Sequence, residues 1–132
     1  MAAVLLDTHA LPWWLTDDAR LGAAASEKIA TSQTFVSAAS PWEIATKHRL
    51  RRLPEADVLL RDAGRILRRE GFEPLSISHR HALLAGALDT PHPDPFDRML
   101  IAQAMLDGLV LASSEERFDA IEHEGGPARR VW

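Results

Sequence analysis

Short apolar runs that alternate with stretches of helical spacing are the feature that most constrains the fold of this chain. Such runs occur at residues 4–6, 34–37 and 109–112, and weaker ones at 75–78 and 129–132. Helix-like sequence fills most of the stretches between them. Short strands separated by helices favour right-handed crossovers and a parallel sheet that is covered by helices on both faces. The sequence therefore predicts an α/β fold with a mainly parallel central sheet.

Length and composition indicate one domain, which we expect to cover residues 1–132. The chain is 46% hydrophobic and 26% charged, which is enough for one compact core. It contains no cysteine, so disulfides, thiolate metal sites and a cysteine nucleophile are excluded. No apolar run approaches the roughly 20 residues of a membrane span, and the N-terminal sequence lacks the basic lead of a secretory signal. We expect a cytoplasmic protein that does not bind a membrane.

Basic residues are concentrated in one region, although 19 acids against 15 bases give the chain a net charge of −4. Seven arginines lie between positions 49 and 69, within two helical stretches that Pro54 separates. We predict a two-helix arm at about 41–70, with Lys47 facing solvent. The arginine cluster is typical of a solvated helix face, and the alternatives are contacts to RNA phosphates or to an acidic protein. The apolar faces of the arm predict a protein partner, and we expect a homodimer.

Four acidic residues are placed to meet at one edge of the predicted sheet. Asp7 and Glu115 follow predicted strands, while Glu43 and Asp97 lie in the first turns of predicted helices. In an open parallel sheet, sites form at the carboxyl ends of the strands. Carboxylates packed together repel one another unless a cation compensates, and oxygen ligands without cysteine suit Mg²⁺ or Mn²⁺. The sequence therefore predicts metal-assisted phosphodiester hydrolysis at this edge.

Two predicted helices begin with the same local pattern, and this pattern suggests a structural role for their acids besides metal binding. In SPWE, Ser40 is placed to cap the helix, Pro41 to take the first helical position and Glu43 to lie in the first turn. In DPFD, Asp94 is the expected cap and Asp97 lies in the first turn. A first-turn carboxylate also satisfies free backbone N–H groups and the helix dipole. Each of these acids, taken alone, therefore has a sufficient local role.

Four sequence blocks occur in a specific order and spacing: LLDTHALPWWL, SAASPWEIATKHRL, HPDPFDRMLIAQA and LASSEERF. Together they resemble PIN-domain ribonucleases, specifically the VapC-type toxins of type II toxin–antitoxin systems, over nearly the whole chain. The resemblance implies a three-layer α/β/α PIN-like fold. It also implies an Mg²⁺- or Mn²⁺-dependent endoribonuclease that acts on structured RNA of the tRNA or rRNA class. A VapB-like antitoxin would neutralise it in a hetero-oligomer.

The resemblance assigns catalytic and metal-binding roles to individual positions. The first three acids of the family match Asp7, Glu43 and Asp97. The fourth is usually an aspartate in a Thr-x-Asp setting, where this chain has Ser113-Ser114-Glu115. Glu115 therefore departs from the family pattern by its longer side chain.

Other polar residues near these acids are candidates for a supporting role. Thr8 and Ser113 are placed to hydrogen-bond the acids or a metal-bound water. Asp94 is expected mainly to cap its helix, with a supporting role at the site as the alternative. His9 and His92 flank the acidic edge, and we expect them in a turn or at the surface.

Two other functions compete with RNA cleavage. The first is a catalytically weak PIN-fold module that binds RNA or a protein and regulates it, which the Glu115 departure and the acidic net charge favour. The second is a phosphoryl-transfer protein with Asp7 as the nucleophile. Acid-phosphatase-like folds need a second acid where this chain has His9, and receiver-like folds need a late lysine, whereas the lysines here are Lys28 and Lys47. The sequence therefore argues against phosphoryl transfer.

Overall fold

A five-stranded parallel sheet organises the computed structural model of this chain, which describes residues 2–50, 56–120, 122–123, 126–127 and 129–132. The sheet strands are Val4–Leu6 (β1), Thr34–Ser37 (β2), Glu73–Leu75 (β3), Val110–Ala112 (β4) and Arg130–Val131 (β7). Their spatial order is β3-β2-β1-β4-β7, and every neighbouring pair is parallel. Glu122–His123 (β5) and Gly126–Pro127 (β6) form a separate antiparallel pair that precedes β7 in the chain. The predicted parallel α/β sheet is confirmed, with β1 at its centre.

Helices cover both faces of this sheet. They are Ala10–Leu15 (α1), Ala23–Thr31 (α2), Ala39–Arg49 (α3), Asp57–Glu70 (α4), His79–Ala87 (α5) and Pro95–Asp107 (α6), and a 3₁₀ helix, Glu116–Ala120, follows β4. Successive residues of a strand point to opposite faces. Accordingly Leu5 packs in a core with α5, α6 and the 3₁₀ helix, whereas Val4 and Leu6 pack in a second core with α1, α2 and α4. The three-layer α/β/α architecture is thereby confirmed.

The ends of α6 follow from local sequence, as predicted. The Asp94 side chain accepts hydrogen bonds from the backbone N–H groups of Phe96 (2.9 Å) and Asp97 (3.3 Å). Pro95 occupies the first helical position, where its missing N–H costs nothing. Gly108 ends the helix in the left-handed conformation, with φ of 67°. These residues fix the direction in which the first turn of α6 faces the sheet edge.

Helix α3 begins two residues earlier than predicted, so the expectation that Ser40 caps it is wrong. Its first residue is Ala39, whose N–H donates to the Ser37 hydroxyl at the end of β2 (3.0 Å). Ser40 is buried inside the first turn, and its hydroxyl shares a 3.2 Å hydrogen bond with that of Thr8. Because the helix starts early, Glu43 lies beyond the first turn rather than within it.

The third strand is Glu73–Leu75 rather than the predicted 75–78. The reason is that Ser78 belongs to the next helix: its hydroxyl accepts from the His81 N–H (3.1 Å), and its own N–H donates to His81 Nδ1 (3.0 Å). This reciprocal cap defines the start of α5. Pro74 is tolerated within β3 because the strand lies at the edge of the sheet.

The predicted two-helix arm corresponds to α3 and α4, and its connection at residues 51–55 lies outside the described residues. Helix α4 is interrupted at Asp62, which has φ of −142°. Gly71 ends α4 in the left-handed conformation, with φ of 75°. In the part of the chain that the structure describes, no helix is long and apolar enough to cross a membrane.

Candidate functional site

Asp7 lies at the carboxyl end of the central strand, and hydrogen bonds on both of its carboxylate oxygens hold it there. Its Oδ1 accepts from the backbone N–H of Thr8 (2.6 Å), and its Oδ2 accepts from the Ser113 hydroxyl (2.8 Å). Ser113 follows β4, and the register that pairs Leu6 with Ala112 brings it next to Asp7. Ser113 is fully buried. The orientation of the Asp7 carboxylate is therefore set by the parallel pairing of β1 and β4.

Glu43 is a buried carboxylate that points from α3 toward the same edge. One of its oxygens, Oε2, forms an ion pair with Lys47 one turn further along the helix. The other, Oε1, is buried and has no hydrogen-bond donor among the described residues. The prediction that Lys47 faces solvent is wrong, because its side chain folds back to this carboxylate and is only 32% exposed. A buried carboxylate oxygen without a donor is costly, and a cation would satisfy it.

Asp97, in the first turn of α6, is electrostatically linked to the other two acids. Burial is the largest cause that raises its pKa, to about 7, and the charges of Asp7, Asp94 and Glu43 add to the increase. Burial likewise raises the pKa of Asp7, to which the charge of Glu43 also contributes. Like charges that share a poorly solvated site favour proton uptake in this way. The structure therefore brings Asp7, Glu43 and Asp97 together, as the sequence predicted.

Glu115 is oriented differently from these three acids. Its Oε1 accepts from the backbone N–H of Arg117 (3.0 Å) and from the Arg117 Nε (2.9 Å), while its Oε2 accepts from the guanidinium Nη2 (2.8 Å). These hydrogen bonds lower the pKa of Glu115 to about 2. The fourth acid of the predicted set is thus engaged by a neighbouring arginine, and its role as a metal ligand stays a prediction.

The sequence predicts His92 in a turn or at the surface; it lies in the irregular stretch before α6, but the surface position is wrong because the residue is buried. Its ring is buried against Phe118, with 5.7 Å between ring centroids. Its Nε2 lies 3.3 Å from Asp97 Oδ2, although this contact lacks hydrogen-bond geometry. His9, in contrast, is exposed as expected, and its ring stacks on Trp13.

Only some of the residues that contact the acids could have been predicted from the sequence. The four-residue spacing of Glu43 and Lys47 is a standard helical pair, and it was available before the structure. The roles of His92 and Arg117 depend on the path of irregular loops, for which local sequence gives no rule. The contact between the Thr8 and Ser40 hydroxyls also depends on how α3 docks on the sheet.

The chemistry of these residues suits a hard divalent cation. Within the described ranges, no three histidine or carboxylate side chains are grouped tightly enough to form a preformed metal site. The three linked carboxylates nevertheless offer oxygen ligands only, as Mg²⁺ and Mn²⁺ prefer. The unpartnered Glu43 Oε1 and the raised pKa of Asp97 are both signs of uncompensated negative charge. We conclude that the donor set fits a divalent cation, which would relieve this repulsion.

Comparison with known proteins places this arrangement in a family. The family model described as PIN domain matches residues 4–124. Ribonuclease VapC22 of Mycobacterium tuberculosis is 31% identical over 125 residues, which are 93% of this chain and 95% of that protein.

Two solved structures share the fold at low sequence identity. The structure of VapBC2 from Rickettsia felis, bound to a DNA fragment from its promoter, matches with a TM-score of 0.66 and 12% identity over 97% of this chain and 98% of that one. A toxin–antitoxin complex from Klebsiella pneumoniae matches with a TM-score of 0.54 and 17% identity over 98% and 96%, respectively. The family model and the VapC22 relative both extend over nearly the whole chain. The chain therefore belongs to the PIN-domain family, as a VapC-type member.

Proposed function

We propose that this chain is the toxin of a type II toxin–antitoxin system and acts as a divalent-metal-dependent endoribonuclease on structured RNA of the tRNA or rRNA class. The observation that carries the proposal is the meeting of Asp7, Glu43 and Asp97 at the carboxyl edge of the sheet, where the pKa of Asp97 is raised to about 7. The relative named Ribonuclease VapC22 supports the reaction class.

The proposed cofactor is Mg²⁺ or Mn²⁺, held by Asp7, Glu43 and Asp97, with Glu115 as the fourth candidate. When bound, such an ion supplies Lewis-acid stabilisation of the charge on a phosphodiester and lowers the pKa of an attacking water. No side-chain nucleophile is then required.

The remaining groups at the edge prepare the carboxylates for this role. The Thr8 N–H and the Ser113 hydroxyl fix the two oxygens of Asp7. Lys47 offsets part of the charge of Glu43. Asp94 fixes the start of α6 and thereby the position of Asp97. Because a protonated carboxylate is a poor metal ligand, proton and cation compete at Asp97.

The first prediction concerns cleavage by the purified, antitoxin-free protein. We expect it to cut total cellular RNA in Mg²⁺ or Mn²⁺, and we expect Asp7→Asn and Asp97→Asn each to lower the rate by at least about 100-fold, because each removes a negative charge from the metal-binding set. Gel analysis of timed digests measures the rate.

A matched control for this assay is Asp17→Asn. Asp17 is exposed and has φ of 52°, a conformation that asparagine tolerates well, so this variant should retain the wild-type rate. Absence of cleavage by the wild-type protein, or equal cleavage by all four proteins, would refute the proposal.

We also propose that the chain is a single PIN-like domain over residues 1–132, which forms a homodimer and assembles with a VapB-like antitoxin in the cytoplasm. Exposed apolar side chains of the arm support a protein partner: Trp42 on α3 and Leu50 directly after this helix both face solvent. The solved VapBC complexes of related fold support the antitoxin as partner.

The assembly gives the second prediction. Multi-angle light scattering should show a dimer of the chain alone and a larger complex after an antitoxin is added, because the exposed apolar surface of the arm is then covered. A mass of one chain, both with and without the antitoxin, would contradict this assembly.

A catalytically weak PIN-fold module that binds RNA or a protein is the alternative function. The pairing of Glu115 with Arg117 favours it, because this pairing leaves three carboxylates rather than four at the proposed site. The net charge of −4 points in the same direction. Calorimetric titration that finds a divalent ion bound by these carboxylates, together with multiple turnovers of RNA cleavage, would rule this alternative out.

A further inference from the structure

The side chain of Arg98 holds a loop beside the candidate site through five backbone carbonyl groups. Its Nε donates to Ala85 (2.8 Å), its Nη1 to Thr90 (3.0 Å) and His92 (3.1 Å), and its Nη2 to Gly86 (3.3 Å) and Leu88 (2.8 Å). An arginine has five N–H donors in a rigid fork, and a lysine cannot reproduce that fork. All five N–H groups of this guanidinium therefore donate to one short segment of backbone.

This segment runs from the end of a helix into irregular backbone. It includes the last turn of α5, whose carbonyls have no partner within the helix, and the irregular stretch that leads to α6. A positive charge at a helix C-terminus is also favourable, because it complements the helix dipole. Since Arg98 lies next to Asp97 in the first turn of α6, it ties the loop directly to the helix that carries this acid.

The loop carries His92, and the hydrogen bonds of its ring define where its proton lies. The Nδ1 atom accepts from the backbone N–H of Asp94 (3.3 Å), so the neutral ring carries its proton on Nε2. Nε2 is buried, lacks a hydrogen-bond partner among the described residues and lies 3.3 Å from Asp97 Oδ2. A buried N–H donor thus lies beside the Asp97 carboxylate, close to it but without hydrogen-bond geometry.

We propose that Arg98 and His92 are positioning residues for Asp97: Arg98 fixes the backbone of the loop, and the buried Nε2 edge of His92, 3.3 Å from Asp97 Oδ2, restricts the orientation of that carboxylate. The inference rests on the proposed function, because it deepens the role of Asp97 at the same site. Removal of a group that orients a metal-binding carboxylate typically weakens metal binding by about 10- to 100-fold.

Two substitutions of His92 separate its two ring nitrogens. The amide nitrogen of His92→Gln lies near the position of Nε2 and can donate to Asp97. The shorter side chain of His92→Asn can replace only the Nδ1 acceptor, and it does not reach Asp97. Arg98→Lys keeps the charge and loses the fork, while Arg129→Lys is the matched control because Arg129 donates to a single exposed carbonyl, that of Gly108.

The first measurement uses the metal-free protein, so it does not depend on the proposed function. Nitrogen-15 NMR at pH 8 should find the His92 proton on Nε2. Hydrogen exchange of the Thr90 and Asp94 amides should accelerate at least tenfold in Arg98→Lys and remain unchanged in Arg129→Lys. The His81 amide, held by the separate cap of α5, is the internal reference.

The second measurement is the affinity for Mn²⁺ by calorimetry. We expect His92→Asn and Arg98→Lys to weaken binding about 10- to 100-fold, and His92→Gln to stay within about threefold of the wild-type protein. A proton on Nδ1, loop exchange unchanged in Arg98→Lys, or equal Mn²⁺ affinity of His92→Asn and His92→Gln would each overturn the inference. If the wild-type protein binds no Mn²⁺, the proposed function fails, whereas the NMR and exchange results still decide the positioning role.

Discussion

Asp97 and Glu115 show how strongly the surroundings of one residue can change its chemistry. Both are acids near the carboxyl edge of the sheet, yet the pKa of Asp97 is raised to about 7 and that of Glu115 is lowered to about 2. Asp97 even lies in the first turn of a helix, where the dipole favours a negative charge. Burial and three neighbouring carboxylates outweigh that stabilisation, whereas Glu115 is only partly buried and is bound by Arg117.

The raised pKa of Asp97 predicts how the stability of the metal-free protein depends on pH. Between about pH 4 and 7 the folded protein holds a proton that the unfolded chain releases, so the free energy of unfolding falls as the pH rises through this range. Asp97→Asn removes the charge. In a chelating buffer at pH 8, the variant should therefore unfold at a higher temperature than the wild type. Its unfolding temperature should also change less than that of the wild type between pH 4 and 8.

Thermal unfolding followed by circular dichroism across that pH range checks this prediction. Asp17→Asn serves again as the control, and its profile should follow that of the wild type. A variant Asp97→Asn with the wild-type midpoint at pH 8 would show that neither burial nor the neighbouring carboxylates make a charged Asp97 costly in the folded protein.

At the scale of single elements, α6 combines several roles in the consecutive residues DPFDR. Asp94 caps the helix, Asp97 faces the other acids, and Arg98 anchors the preceding loop. These side chains act together because the cap fixes where the first turn begins, and the first turn fixes the directions of the next two side chains.

The cap of α6 therefore gives a prediction about stability. Asp94→Ala leaves the N–H groups of Phe96 and Asp97 without their acceptor and should lower the free energy of unfolding by about 1 kcal/mol. Because asparagine caps helices equally well, Asp94→Asn should stay close to the wild type. Urea unfolding measures both variants, and an equal loss in the two would indicate that the charge of Asp94, rather than its capping hydrogen bonds, stabilises the helix.

The sequence predicted those elements whose ends depend on local chemistry. Asp94, Pro95 and Gly108 mark the ends of α6, and the carboxyl ends of parallel strands predicted that Asp7 would meet Asp97. The features that the sequence did not predict depend on contacts between segments that are distant in the chain. Ser37 replaces Ser40 at the start of α3 because of how β2 ends, and Ser78 is needed by α5, which shortens β3. Sequence spacing does not predict the path of the loop that buries His92. It also does not predict the turn that pairs Glu115 with Arg117.

At the scale of the whole molecule, the last described residue closes the second core. Trp132 packs against Gly22, and its ring meets that of Trp13 at 5.7 Å between centroids. A Cβ atom at position 22 would lie 2.4 Å from the main-chain carbon of Trp132 and 2.8 Å from its ring. The start of α2 and the residue after β7 thus pack so closely that there is no room for a side chain at position 22.

Gly22→Ala should therefore lower the free energy of unfolding by about 1 to 3 kcal/mol, the usual cost of overpacking a core. Gly86→Ala is the matched control, because a Cβ there meets nothing within 4 Å and alanine favours the helix by roughly 0.5 to 1 kcal/mol. Chemical unfolding followed by circular dichroism measures both. If Gly22→Ala were as stable as the wild type, the packing of Trp132 would contribute little to stability.

The hydrogen bond between Asp7 and Ser113 joins residues that are 106 positions apart in the sequence. During translation, Asp7 and β1 emerge early, but β1 lacks β4 on one side and Asp7 lacks the Ser113 hydroxyl until all of the intervening residues have been made. We therefore expect a growing chain to remain inactive for most of its synthesis. If the chain cuts RNA as proposed, this delay would keep the nascent chain from cleaving RNA at the ribosome that is making it.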